Sequence, residues 1–250
     1  MRRRGLVTGA LALAAVLLAG AGKPKEKDWS ATVTISRDGY HVRGNPQAPI
    51  RLIEYVSYSC PHCGIFEMEG GEELTERFIK PGSVAYEIRP FFLNEIDKTL
   101  SLIAYCGPPA KFFGNTTQLL KFQHHWLRNP TRAQVERWSV PDWHDRARAM
   151  TEDLGLYTMM EKRGYNRTEL DKCLADEALV ASLQKGTEDA FYNQGVKGTP
   201  AFKLNGELRD NFVASGRVSF ELRFFMLNAL DVPATLLATC SAPEAALPLA

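Results

Sequence analysis

The chain has 250 residues, of which 45% are hydrophobic and 24% are charged, and its formal net charge is +1. A chain of this length can bury a sizeable core in one large domain or two small ones. Because the charges balance and no basic or acidic block follows the first residues, the composition gives no electrostatic reason to expect a nucleic acid or an anionic surface as partner.

The N-terminus has the organisation of a secretory signal peptide. Arginines at positions 2–4 precede an uncharged run rich in Leu and Ala, residues 5–20, which ends in an Ala-Gly-Ala site at 19–21. We therefore expect residues 1–21 to be cleaved off, followed by a polar linker over residues 22–30. An uncleaved membrane anchor is the alternative, although the apolar run is shorter than the ~20 residues that a spanning helix needs. Both interpretations place the folded part outside the cytosol, in the periplasm or otherwise exported.

The next part of the chain predicts alternating strands and helices. β-Branched alternation and a compact apolar run predict strands, and a run of helix formers interrupted by two glycines predicts a kinked helix. In chain order these are strand 31–35, strand 50–56, helix 63–79 and strand 83–89.

Residues 97–194 differ in character, because their apolar residues have helical spacing and no strand signal interrupts them. The clearest predicted helices are 100–106, 112–126, 143–154 and 178–191. Aromatic residues on the second of these are expected in the core: Phe112, Phe113, Phe122 and Trp126.

After this block the strand signal returns. Residues 201–204 and 212–213 predict a hairpin closed by an Asn-Gly turn, and residues 220–230 predict a final amphipathic helix. The plan is therefore β-α-β, a helical insertion, and β-β-α. The expected domains are a sheet domain of residues 31–96 and 195–231, an inserted helical domain of residues 97–194, and a flexible tail of residues 232–250.

The motif Cys-Pro-His-Cys at residues 60–63 is the clearest chemical signal in the sequence. A Cys-x-x-Cys pair is commonly half of a zinc site or a redox dithiol. A structural zinc site needs a second closely spaced pair of ligands, whereas Cys106, Cys173 and Cys240 each stand alone. We therefore favour a redox pair over a metal site, with a static structural disulfide as a third interpretation.

The position of the motif favours redox chemistry, because a predicted strand ends before it and a helix begins within it. Cys60 would lie at the helix N-terminus, whose free N–H groups and positive dipole end stabilise a thiolate. Pro61 fits the first helical turn, and His62 adds a donor or a partial positive charge. A stabilised thiolate favours the reduced form and makes the disulfide a stronger oxidant.

The chain resembles the DsbA family of thiol:disulfide oxidoreductases over roughly residues 31–230. The Cys-Pro-His-Cys motif, the strand before it, the helical insertion and a later Gly-Thr-Pro-Ala-Phe at residues 198–202 match that family in order. The resemblance implies an α/β thioredoxin fold with a helical insertion domain. It also implies that Cys60 and Cys63 turn over as a dithiol without a metal or an organic cofactor.

The resemblance assigns three further residues near the cysteines. Pro200 would follow a cis peptide bond, which leaves the backbone of Thr199 free to pair with an extended substrate segment. Glu54 matches the buried acid of the family, since it lies six residues before Cys60 on a strand face with apolar neighbours. We expect Glu54 to accept a proton from Cys63 or to tune it. The alternative is a strand-edge acid that pairs with a base.

Cys106 and Cys173 both fall in the predicted helical block. Cysteines in an oxidising compartment often pair, and a bridge that closes a loop of 67 residues would contribute about 4 kcal/mol. Small buried apolar residues are the alternative. Cys240 has no predicted partner and lies in the predicted tail.

The leading hypothesis is therefore oxidation of unfolded or folding exported proteins that have free thiols. The Cys60–Cys63 disulfide would be donated through a mixed disulfide at Cys60. The resemblance implies reoxidation by a quinone-linked membrane partner of the DsbB type. A disulfide isomerase or reductase is the nearest alternative, and a thiol-based metal chaperone or peptide-binding module is the alternative from another class.

Overall fold

The computed structural model describes residues 27–208. Within them, six strands form one mixed sheet: β1 (Val33–Ile35), β2 (His41–Gly44), β3 (Ile50–Val56), β4 (Val84–Pro90), β5 (Ala201–Leu204) and β6 (Glu207–Leu208). Their order across the sheet is β1-β2-β4-β3-β5-β6. β3 and β4 run parallel, and the other neighbours are antiparallel.

Helices occupy the two long connections between strands. After β3 come α1 (Pro61–Glu69), α2 (Gly71–Leu74) and a π-helical turn at Thr75–Ile79. Between β4 and β5 come α3 (Glu95–Tyr105), a 3-10 turn (Pro109–Lys111), α4 (Phe112–Lys121), α5 (Gln123–Trp126), α6 (Arg132–Arg137), α7 (Trp143–Asp153), α8 (Leu156–Glu161), α9 (Arg167–Leu174) and α10 (Glu177–Asn193). No helix within residues 27–208 has the length and apolarity that crossing a bilayer requires.

The predicted β-α-β unit, the helical block and the return to strands are confirmed. β3 and β5 begin and end where the sequence predicts, whereas the predicted helix 63–79 begins earlier, at Pro61, and is divided at Gly70. The pattern misses β2, because only one of its four residues is β-branched, and its conformation comes from pairing with β1 and β4. The predicted signal peptide, the strand at 212–213, the helix at 220–230 and Cys240 lie outside the described residues.

Side chains of β3 alternate between the two faces of the sheet. Leu52 and Val56 belong to the main core, which also contains Cys63 and the buried aromatic residues of the helical block. Ile53 and Tyr55 point to the other face, where they pack against a smaller cluster with residues of α10 and the chain just beyond it. The main core is therefore continuous from the sheet, through α1, into the helices that follow β4.

A disulfide between Cys106 and Cys173 joins the end of α3 to α9, with 5.5 Å between the two Cα atoms. Three of the four aromatic residues expected in the core are buried, namely Phe112, Phe113 and Trp126, whereas Phe122 is 39% exposed. The prediction is wrong for Phe122 because α4 ends there and the chain turns into α5, so the helical spacing no longer directs this ring inward.

Candidate active site

The Cys-Pro-His-Cys motif lies where β3 meets α1. Cys60 is the N-cap residue of α1, with extended backbone (φ −81°, ψ 117°), and Pro61 occupies the first turn. No side chain caps this helix, and the backbone N–H groups of His62 and Cys63 act on the Cys60 sulfur instead. Cys60 is 6% exposed and Cys63 is fully buried, so a partner molecule meets Cys60 first.

The pairing of β5 with β3 brings a second segment to the same place. Tyr55 lies opposite Ala201, so the residues before β5 reach the end of β3 at which the motif begins. The peptide bond between Thr199 and Pro200 is cis. When Cys60 is protonated, its thiol donates a hydrogen bond of 3.2 Å to the backbone carbonyl of Thr199.

The two sulfurs have opposite tendencies to ionise. A hydrogen bond from the Cys63 thiol, supported by the Thr199 side chain and the helix N–H groups, outweighs burial and lowers the pKa of Cys60 to about 5. The pKa of Cys63 is raised, because its thiol donates to the Cys60 sulfur, is buried, and lies near Glu54. At pH 7 the reduced site therefore holds a Cys60 thiolate and a Cys63 thiol. The His62 ring is exposed, and the contribution of this residue to the Cys60 pKa comes from its backbone N–H.

Glu54 lies in the middle of β3 and is 1% exposed. Its Oε2 accepts a hydrogen bond from the Tyr86 hydroxyl, and its Oε1 is buried without a hydrogen-bond partner in residues 27–208. Burial raises the pKa of Glu54 to about 8. The alternative of a strand-edge acid paired with a base is wrong, because β3 is an inner strand and no ion pair within the described chain includes Glu54.

Asp97, which the sequence does not single out, anchors the loop before Cys60. Its carboxylate accepts hydrogen bonds from the Ser59 N–H at 2.8 Å, the Ser57 hydroxyl at 2.9 Å and the Leu93 N–H at 2.8 Å. Asp97 is fully buried. The only sequence signal is its place in the first turn of a helix capped by Asn94, which predicts a helix start and no link to the motif.

Gln123 is the second residue that the sequence does not single out. Its buried amide donates to the carbonyls of Tyr58, at 2.5 Å, and Cys60, at 2.9 Å. A Cβ on Gly64 would collide with this amide, so the close approach of Gln123 to α1 requires glycine at that position. The side chains of Asp97 and Gln123 therefore hold the backbone on both sides of Cys60.

No cluster of three metal-ligating side chains occurs among residues 27–208. The fold and the site together define a class: a dithiol protein with a stabilised thiolate at a helix N-terminus, a buried partner thiol and an adjacent cis-proline.

Comparisons with known proteins agree with this class. The family model described as Thioredoxin matches residues 36–212. Two proteins named "Putative protein-disulfide oxidoreductase" are similar to this chain. The protein of Rickettsia bellii is 28% identical over 192 residues, which cover 76% of this chain and 66% of that protein. The protein of Rickettsia prowazekii is 25% identical over 190 residues, which cover 76% of this chain and 62% of that protein. The chain thus spans somewhat less than two thirds of the length of these curated relatives.

Solved structures match as well. The crystal structure of a protein-disulfide isomerase from Novosphingobium aromaticivorans has a TM-score of 0.65 and 42% identity, and the match covers 68% of this chain and 89% of that one. The structure of Wolbachia pipientis alpha-DsbA1 shares the fold, with a TM-score of 0.56 and 17% identity, and the match covers 82% of this chain and 92% of that one. The family model matches more than half of the chain, so the chain belongs to the thioredoxin family, and the predicted α/β thioredoxin fold with a helical insertion is confirmed.

Proposed function

We propose that the protein is exported and donates its Cys60–Cys63 disulfide to folding proteins that have free thiols. The observation that carries this proposal is the opposite ionisation of the two sulfurs: the pKa of Cys60 is lowered and that of Cys63 is raised. A sulfur that is stable as a thiolate is a good leaving group, so the enzyme releases its product readily and favours its own reduced form. The names of the relatives also support disulfide exchange.

The first step forms a mixed disulfide. A substrate thiolate attacks the Cys60 sulfur, a substrate–Cys60 bond forms, and the Cys60–Cys63 bond breaks with its electron pair going to Cys63. Attack at Cys60 is favoured because Cys63 is fully buried. Since the pKa of Cys63 is raised, its leaving thiolate takes up a proton, and we assign the buried carboxyl of Glu54 as the donor.

The second step releases the product. A second substrate thiolate attacks the substrate sulfur of the mixed disulfide, and Cys60 leaves as a thiolate. Two electrons have then passed from the substrate dithiol to the enzyme. One of the two substrate protons is matched by the proton on Cys63, and the other is released to solvent.

The remaining parts of the proposal concern partners and organisation. We assign the backbone of Thr199, beside Pro200 and Cys60, as the edge on which an extended substrate segment pairs. Export rests on the signal-peptide organisation of residues 1–21, and reoxidation by a quinone-linked DsbB-type membrane protein rests on the family resemblance. In this proposal the thioredoxin domain comprises residues 31–96 and 195–231, and the inserted helical domain comprises residues 97–194.

Equilibration with glutathione buffers tests the direction of the reaction. We expect the Cys60–Cys63 couple to have a potential near that of DsbA, about −120 mV, and a value near that of thioredoxin, about −270 mV, would contradict the oxidase proposal. Cys63→Ser should trap a mixed disulfide with a dithiol peptide, whereas Cys60→Ser should trap none. Equal trapping by both variants would contradict the assignment of Cys60 as the attacked sulfur.

Disulfide isomerisation is a second candidate, because the Novosphingobium structure at 42% identity is named a protein-disulfide isomerase. An isomerase repairs a substrate with scrambled disulfides while its own dithiol is reduced. Recovery of such a substrate by the reduced protein, without net oxidation, would favour isomerisation. Oxidation of a reduced substrate by the disulfide form, without repair of the scrambled one, would favour donation.

A further inference from the structure

A buried row of polar side chains lies across the sheet beneath α1. Tyr86 on β4 is opposite Leu52 on β3 and opposite Arg43 on β2. Glu54 follows Leu52 by two residues, so Glu54, Tyr86 and Arg43 share one face of the sheet. Glu54 and Tyr86 are 1% and 3% exposed, and the Tyr86 hydroxyl donates to Glu54 Oε2.

α1 brings a second carboxyl group to this row. Glu67 follows Cys63 by four residues, so both side chains lie on the same face of the helix. Glu67 is half-buried, and its Oε1 accepts a hydrogen bond of 2.6 Å from the Thr117 hydroxyl on α4. It lies close enough to Glu54 for its negative charge to raise the pKa of that carboxyl.

The surroundings of the two carboxyl groups differ. Burial raises the pKa of both, but Thr117 and Arg43 act against burial at Glu67, whereas Tyr86 alone acts against it at Glu54. Two acids whose pKa values are pushed apart by their environments take different roles. Glu54 is therefore the acid of the pair that keeps its proton to higher pH. The titratable and charged groups around the pair are Arg43, Tyr58, Cys63, Tyr86 and Lys121.

We propose that Tyr86 and Glu67 are positioning residues for the proton transfer from Glu54 to Cys63, an inference that rests on the proposed disulfide-exchange function. The Tyr86 hydroxyl donates to Oε2 of Glu54, and Oε1 has no hydrogen-bond partner in the described part of the chain. We therefore assign Oε1 as the oxygen that exchanges the proton with Cys63. The Glu67 carboxylate opposes ionisation of Glu54 until the disulfide breaks. The proton then passes to the Cys63 thiolate, the negative charge moves to Glu54, and solvent restores the proton.

Titration of the glutamate carboxyl groups by ¹³C NMR in the reduced full chain tests this inference, with Glu54→Gln and Glu67→Gln assigning the two signals. Glu67→Gln removes a like charge, so the midpoint of Glu54 should fall by about one pH unit. Tyr86→Phe removes a donor to the carboxylate, so the same midpoint should rise by about one pH unit. The opposite signs distinguish positioning from a general loss of structure.

Two matched variants serve as controls: Glu69→Gln on the exposed end of α1, and Tyr40→Phe, whose ring packs under Arg89 rather than beside Glu54. Neither should move the Glu54 midpoint.

If Tyr86→Phe does not fold, Thr117→Val gives a milder test, because loss of its hydrogen bond to Glu67 should raise the midpoint of Glu67. The inference is overturned if the Glu54 midpoint stays within about 0.2 pH units of wild type in both Glu67→Gln and Tyr86→Phe. It is also overturned if the midpoint moves in the same direction in both variants.

The falling limb of the pH–rate profile for disulfide transfer gives a second readout. That limb should follow Glu54, because the rate drops when no proton is available for Cys63, and Glu67→Gln should move it to lower pH. Normal transfer with an unmoved limb would refute this inference and leave the proposed function intact. Absence of transfer in the wild type, with the NMR midpoints moving as expected, would refute the proposed function and leave the coupling of the two acids standing.

Discussion

Protonation of Cys60 should lower the free energy of unfolding of the reduced protein, because folding stabilises the thiolate. The pKa of Cys60 falls from 9.0 to about 5 on folding, and four units at about 1.4 kcal/mol each set an upper limit of about 5.5 kcal/mol. Because Cys60 keeps a small exposed area, through which solvent screens its charge in part, we expect about half of this value, roughly 2–3 kcal/mol. A group whose pKa is lowered on folding stabilises the protein fully above its unfolded pKa. This contribution is lost as the pH falls from about 9 to about 5.

Urea unfolding of the reduced protein under anaerobic conditions, between pH 4 and pH 9, measures this effect. Cys60→Ser is the reference, because it removes the thiolate and keeps the other titrating groups. Glu54 acts in the opposite direction, since its pKa is raised to about 8 and its contribution is lost as the pH rises through that value. The difference between wild type and Cys60→Ser cancels Glu54 and should increase with pH. A flat or falling difference across this range would refute the proposed stabilisation of the thiolate.

Three further outcomes are expected. Thr199→Val removes a hydroxyl that favours the Cys60 thiolate, so absorbance at 240 nm should show a higher pKa, and the potential should become more negative by about 30 mV per unit. Replacing both Cys106 and Cys173 with alanine opens a loop of 67 residues, and urea denaturation should show a loss of about 4 kcal/mol. Gly64→Ala pushes the buried glutamine amide off the two carbonyls that it binds, and the free energy of unfolding should fall by about 1–3 kcal/mol.

The parts of the site that depend on neighbouring residues in the chain could be predicted from the sequence. The strand at residues 50–56, the motif that follows it and the proline at N1 of α1 form one short segment whose turn chemistry and periodicity are local. Pro200 could be placed beside the motif because a family resemblance supplied the long-range pairing. Periodicity alone does not predict that β5 lies next to β3.

The parts that depend on distant contacts could not be predicted. Asp97 and Gln123 act on the backbone around Cys60 across 38 and 63 residues of sequence, and each looks like an ordinary helix residue in its own segment. Tyr86 is similar, because its alternating strand predicts a buried aromatic ring and gives no sign that the hydroxyl reaches Glu54. The period of a strand shows which face a side chain takes, but the partner across that face depends on strand order.

The different roles of two chemically identical sulfurs follow from their positions on one helix. The largest single cause of the low pKa of Cys60 is the hydrogen bond from Cys63, and the same bond is the largest cause of the raised pKa of Cys63. This bond exists only in the reduced protein, because the disulfide has no thiol to donate. The interaction that makes Cys60 a good leaving group therefore also stabilises the reduced product, and it requires a proton on Cys63. In the proposed mechanism, proton delivery to Cys63 and oxidising strength at Cys60 are consequently one coupled property, and Glu54 is the acid to which we assign that delivery.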